Sequence, residues 1–86
     1  MIVHEYSIVQ SLIERVEREA EARHASRVVR VHVRLGEFSG VEPSLLATAY
    51  DTFRERTICE GAPLVLDRVP GDDLILQRIE MEVPDV

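Results

Sequence analysis

The chain has 86 residues, of which 45% are hydrophobic and 30% charged, and its formal net charge is −6. This length predicts one domain with a single core. The acidic balance argues against non-specific nucleic-acid binding, which needs a basic surface. Because the apolar runs are too short to span a membrane and no signal-peptide pattern opens the chain, we also expect no membrane partner. The lone thiol, Cys59, cannot build a disulfide framework, which favours a cytoplasmic protein.

The first part of the chain predicts a helix, a strand and a second helix. From about Glu5 to Ala25 apolar residues recur at the spacing of one helical face, among them Ile8, Val9, Leu12, Ile13 and Val16. Residues 29–35 alternate with a period of two, so Val29, Val31, Val33 and Leu35 should face a core, opposite Arg30, His32 and Arg34. A second helix should carry Pro43 in its first turn. Its apolar stripe comprises Leu45, Leu46, Ala49, Tyr50 and Phe53.

Two further strands are predicted near the C-terminus, Leu64–Val69 and Leu74–Val83. The segment Pro70-Gly71-Asp72-Asp73 between them has turn composition, so these strands should pair as an antiparallel hairpin. That would make Val65, Val69, Ile75 and Ile79 approximate cross-strand neighbours. The order α-β-α-β-β predicts a two-layer α+β fold, a three-stranded mixed sheet with two helices on one face. If the short turn strains the hairpin, the strands could instead be exchanged with a second chain, giving a homo-oligomer.

The sequence contains no recognisable catalytic arrangement. Three histidines, His4, His24 and His32, fall on separate elements, and no nucleophile elbow, zinc-protease motif or phosphate-binding loop is present. We therefore do not expect an enzyme. Since the chain has no CxxC pair, we also expect no structural zinc site. His32 should be a solvated strand residue, and Cys59 a small, half-buried residue at a helix end.

The motif His4-Glu5-x-Ser7-Ile8 resembles the N-terminal signature of the HypA/HybF family, the nickel-insertion accessory proteins of [NiFe]-hydrogenase maturation. The resemblance continues in order along nearly the whole chain, through Val31-x-Val33-x-Leu35-Gly36-Glu37-Phe38-Ser39-Gly40, Thr57-x-x-Glu60-Gly61-Ala62, Val69-Pro70 and Gly71-x-x-Leu74. It implies a single nickel-accessory domain over residues 1–86, with nickel held at His4 and Glu5. The partners it implies are a maturation GTPase and a hydrogenase large-subunit precursor, with urease as another enzyme served.

The chain departs from the family pattern in two places. Family members carry a zinc-binding module of paired cysteines between the equivalents of Pro70 and Gly71, which are adjacent here. The family's nickel site uses the terminal amine of Met-His-Glu, whereas Met1-Ile2-Val3 precedes His4 in this chain. From spacing alone, the pattern favours His4 and Glu5 as ordinary polar residues of a first helical turn, where a carboxylate suits the helix dipole, and the resemblance raises a metal or partner role to the same level. A metal-free interaction module and an engineered core domain therefore stand beside nickel delivery as alternatives.

Overall fold

The computed structural model describes residues 5–85 and contains two helices and three strands. In chain order these are α1 (Glu5–Ala22), β1 (Arg27–Gly36), α2 (Pro43–Phe53), β2 (Leu64–Val69) and β3 (Leu74–Glu82). The three strands form one mixed sheet, and both helices share one buried cluster with β1. The predicted α+β class and element order are confirmed. Within residues 5–85, neither helix combines the length and the hydropathy that a membrane crossing requires.

The core lies between the two helices and β1. Its fully buried members are Val9, Val16, Ala20, Val28, Val31, Val33, Leu46, Ala49, Tyr50, Cys59 and Ala62. A register shift between Val28 and Arg30 places Val28 in the core, so the prediction that Val29 faces the helices is wrong. Leu45, also predicted to be buried, is 55% exposed because it lies at the edge of the apolar stripe of α2.

Both helices have definite ends. The predicted first helix stops at Ala22 instead of Ala25, because His24 takes a left-handed backbone conformation with φ of 53°. The Ala25 amide then donates to the carbonyl of Ala20 at 2.9 Å, a closing pattern typical of helix C-termini. Pro43 opens α2 as predicted, because a first-turn residue needs no amide hydrogen.

The predicted hairpin between β2 and β3 is wrong, because β1 lies between them. The strand order is β2-β1-β3, with β2 parallel and β3 antiparallel to β1. Val65 is therefore level with His32 on β1, and Ile75 is level with Arg34. The parallel crossover from β1 through α2 to β2 agrees with the expectation for a strand–helix–strand unit. Both β2 and β3 are edge strands.

The Pro70–Asp73 segment crosses the end of β1 instead of closing a hairpin. The amides of Gly36 and Phe38 donate to the carbonyls of Asp73 and Gly71, both at 2.8 Å, and the Glu37 amide donates to Val69 at 2.9 Å. These bonds satisfy backbone amides at the end of β1 that would otherwise be unpaired. The turn-like composition of this segment therefore connects two strands across a third.

Candidate functional site

Glu5 is the one residue of the predicted nickel pair that falls in the described part of the chain. It is the first residue of α1 and is half-buried. Its Oε2 accepts a hydrogen bond from the backbone amide of Glu42, at 3.4 Å. Glu42 directly precedes α2, so this carboxylate joins the starts of both helices. His4, its predicted partner, lies outside the described residues.

The start of α2 is capped by an acidic residue. The Glu42 carboxylate accepts from the Ser44 amide at 3.2 Å and from the Ser44 hydroxyl at 2.9 Å. These hydrogen bonds, with a smaller electrostatic contribution from Arg68 at the end of β2, hold the pKa of Glu42 below its ordinary value. The site around Glu5 therefore contains two carboxylates, and it lies where both helices begin and the parallel strands end.

A second contact fixes the first turn of α1. The ring of Tyr6 meets the ring of Phe53 edge to face, with centroids 5.2 Å apart and planes at 72°. Phe53 is the last residue of α2, whereas Glu42 precedes its first turn. Two consecutive residues of α1 thus contact opposite ends of α2. These two contacts set the position of the first turn of α1.

The other candidate ligand residues are separated. His24 is exposed at the end of α1, His32 lies on the sheet, and Cys59 is fully buried behind α2, not half-buried as predicted. Burial raises the pKa of the Cys59 thiol, which disfavours the thiolate that metals require. Across residues 5–85, no three His, Cys, Asp or Glu side chains gather in a metal-holding group.

Instead of being solvated, His32 belongs to a charged cluster on the sheet face away from the helices. Its Nε2 lies 2.5 Å from Oε2 of Glu80, the same oxygen that Nη1 of Arg30 contacts at 3.0 Å. The hydrogen bonds from His32 and then from Arg30 hold the pKa of Glu80 below its ordinary value. The sequence carried a signal for this cluster: Arg27 and Arg30 on β1 match Glu82 and Glu80 on β3 in an antiparallel register.

Comparison with known proteins identifies the family. The family model described as "Hydrogenase/urease nickel incorporation, metallochaperone, hypA" matches residues 3–74. The chain belongs to the HypA family. The family description names a metallochaperone, in agreement with the expectation that the chain is not an enzyme.

Individual HypA proteins show the same relationship. A hydrogenase maturation factor HypA from Shewanella baltica (strain OS185) is 53% identical over 68 residues, which is 79% of this chain and 58% of that protein. The chain thus spans less than two thirds of the length of such relatives. A HypA from Shewanella sp. (strain MR-7) is 48% identical over 116 positions, covering 96% of this chain and 98% of that protein. Since 116 exceeds the chain length of 86, at least 30 aligned positions belong to that relative alone.

Solved HypA structures share the fold. The solution structure of the Ni metallochaperone HypA from Helicobacter pylori has a TM-score of 0.82 and 26% identity, covering 95% of this chain and 100% of that one. A second solution structure, of a HypA protein, has a TM-score of 0.68 and 39% identity over 79% of this chain and 58% of that one. The two helices and the mixed sheet are therefore the HypA architecture.

Proposed function

We propose that this chain is a nickel-delivery accessory protein for [NiFe]-hydrogenase maturation, with urease as a further enzyme served. The match of its residues 3–74 to a nickel-incorporation family carries the proposal. The Helicobacter pylori HypA, a Ni metallochaperone, supports it, because that protein has the same fold. The chain would act in the cytoplasm, where a single buried thiol remains reduced.

The proposed nickel site consists of His4 and Glu5. Imidazole and backbone nitrogens in short chelate rings suit square-planar Ni(II). In this site His4 would supply the imidazole, while Glu5 would hold the start of α1 against α2 through its contact with the Glu42 amide. The bond from Glu42 and the Tyr6–Phe53 contact support this arrangement, because they fix the helix end that His4 directly precedes in sequence.

A titration with Ni(II) at neutral pH tests the site. Two forms are compared, the chain as printed and a form in which Met1-Ile2-Val3 is replaced by a single Met, each with its N-terminus verified by mass spectrometry. His4→Ala is made in both forms, and His24→Ala, on an exposed residue at the far end of α1, is the matched control. Absorption in the square-planar band and calorimetry report binding.

We expect the short form to bind nickel more tightly, because each residue between the amine and the imidazole enlarges the chelate ring and adds freedom that binding must remove. His4→Ala should abolish binding in the short form, whereas His24→Ala should leave it unchanged. Equal, His4-dependent binding by both forms would exclude the amine as a ligand. No binding by either form would refute nickel delivery by this domain.

We further propose that the extra length of the relatives is a zinc-binding module inserted between the equivalents of Pro70 and Gly71. Because these two residues are adjacent in this chain, the domain would work without zinc. The bonds from Gly36, Glu37 and Phe38 support this position, because they hold both flanks of the junction at the end of β1. A domain inserted there would leave the strand pairings in place.

The proposed partners are a maturation GTPase and a hydrogenase large-subunit precursor. Nickel transfer to the purified precursor, measured by metal analysis, tests the partnership with the precursor.

A metal-free interaction module is the second candidate. Two observations favour it. Both β2 and β3 are edge strands, and their side chains Val65 and Ile75 are partly exposed. Self-association by strand exchange belongs to this candidate, and sedimentation of the purified chain over a range of concentrations tests it. A monomer at all concentrations would exclude the homo-oligomer.

A further inference from the structure

The sheet face away from the helices carries a cluster of cationic side chains around one carboxylate. Oε2 of Glu80 lies 3.0 Å from Nη1 of Arg30, 2.5 Å from Nε2 of His32 and 3.7 Å from Nη2 of Arg78. Nη2 of Arg78 also lies 3.2 Å from Nε2 of His32. Two arginines and a histidine thus converge on a single negative charge.

Arg34 extends this cluster along β1. Its side chain is exposed, and among residues 5–85 it takes part in none of the ion pairs. Arg30, His32 and Arg34 alternate along the strand, so they lie on one face at a spacing of about 7 Å. We call these three residues, with Arg78 and Glu80, the open-face cluster. Asp67 on β2 is level with Arg34, and with it included the face carries three arginines against two carboxylates, in a chain whose net charge is −6.

Apolar side chains lie directly beside the open-face cluster. Val65 on β2 is level with His32 and is 37% exposed, and Ile75 on β3 is level with Arg34 and is 46% exposed. Exposed arginines next to apolar side chains are typical of protein interfaces. A nucleic-acid surface would instead need a wider basic area than this chain offers, because its net charge is −6.

We propose that the open-face cluster is a docking site for an extended acidic segment of a partner protein, and that Glu80 occupies the place of one of the partner's carboxylates until the segment binds. In an extended segment, side chains on one face repeat every second residue, about 7 Å apart. Carboxylates at that spacing match Arg30, His32 and Arg34 along β1. Val65 and Ile75 would contact the apolar parts of the segment. This site is on the opposite side of the sheet from α1 and is independent of nickel.

The test measures binding of a fluorescent, end-blocked nine-residue peptide of alternating Glu and Thr to the full chain by anisotropy, at low salt and at 0.5 M salt. A peptide of alternating Gln and Thr is the neutral control, and a thymidine oligonucleotide of equal charge is the polyanion control. Glu80→Gln removes the competing charge while keeping the shape, and Arg34→Glu reverses a charge of the cluster. Arg18→Glu, on an exposed arginine of α1, is the matched control for charge reversal.

We expect Glu80→Gln to tighten peptide binding about two- to fivefold and Arg34→Glu to weaken it about fivefold, the range that single exposed ion pairs give. Arg18→Glu should change binding less than Arg34→Glu does, and 0.5 M salt should weaken binding in every form. Circular dichroism checks that each variant is folded, and amide shifts in NMR spectra should change along β1 and β3. Equal effects of the two arginine reversals would overturn the proposal. Weaker or unchanged peptide binding after Glu80→Gln would also overturn it. So would equal binding of the neutral peptide, tighter binding of the oligonucleotide, or no peptide binding at all.

Discussion

Replacing Gly36 by alanine tests the crossing of the Pro70–Asp73 segment over β1. A Cβ built on Gly36 would lie 2.5 Å from the carbonyl oxygen of Gly71, 2.7 Å from its carbonyl carbon and 2.9 Å from the amide nitrogen of Asp72. All three are backbone atoms, so no side chain can rotate away. The segment would have to move outward by about 1 Å to restore ordinary van der Waals contact.

Such a shift would lengthen the three hydrogen bonds that Gly36, Glu37 and Phe38 donate to the crossing segment. Each bond contributes about 0.5–1.5 kcal/mol, and overpacking by a methyl group costs about 1–3 kcal/mol. Because not all three bonds need be lost, we expect Gly36→Ala to lower the free energy of unfolding by about 2–4 kcal/mol. That is a large part of the total of about 4–13 kcal/mol for a domain of this length.

Gly61→Ala is the matched control. No heavy atom lies within 4 Å of a Cβ built on Gly61, so this variant should be as stable as the parent or gain up to about 1 kcal/mol from the stiffer unfolded chain. Both variants change the unfolded state alike, so their difference reports the contact in the folded state. Urea unfolding followed by circular dichroism gives both free energies. Equal stability of the two variants would refute the crossing and restore a β2–β3 hairpin.

Three other outcomes are expected. Leu12→Ala should cost about 2–5 kcal/mol and Leu45→Ala less than about 0.5 kcal/mol, because Leu12 is 6% exposed and Leu45 is 55% exposed; equal losses in urea unfolding would contradict the core. Burial above all raises the pKa of Tyr50, so its ionisation favours the unfolded chain and stability should fall as the pH rises above 10. Tyr50→Phe should flatten this decline in thermal melts and cost about 1 kcal/mol at neutral pH, since its hydroxyl donates to Ala62. Chelators should leave the melting temperature unchanged, and tightly bound stoichiometric zinc after purification would contradict the proposed zinc-free domain.

Periodicity in the sequence was enough to predict the order and type of the elements. It could not predict the order of strands in the sheet, because a period of two shows which face of a strand is buried but not which strand is its neighbour. The match of Arg27 and Arg30 with Glu82 and Glu80 is the one sequence signal that would have placed β3 beside β1, and the prediction did not use it. The sequence could not show that Val28, and not Val29, faces the core. Both residues are valine, and no residue type in this segment indicates a bulge.

The candidate site was predictable only where it coincides with a family motif. Glu5 was found through the His4-Glu5-x-Ser7-Ile8 signature, whereas its contact with Glu42 joins residues that are 37 positions apart. Glutamate is also not among the residue types preferred as helix caps, so the sequence did not mark Glu42 as a cap. The cluster around Glu80 was missed for a different reason: the predicted hairpin placed β3 away from Arg30 and His32.

The central position of β1 has a consequence for how the chain folds during its synthesis on the ribosome. β1 is made first among the strands, but its partners are made much later: Ser26, just before β1, bonds to Glu82, 56 residues further along. Until β3 has left the exit tunnel, one edge of β1, the most buried strand, has no partner and can pair with other chains. β3 therefore decides whether the second edge of β1 is protected.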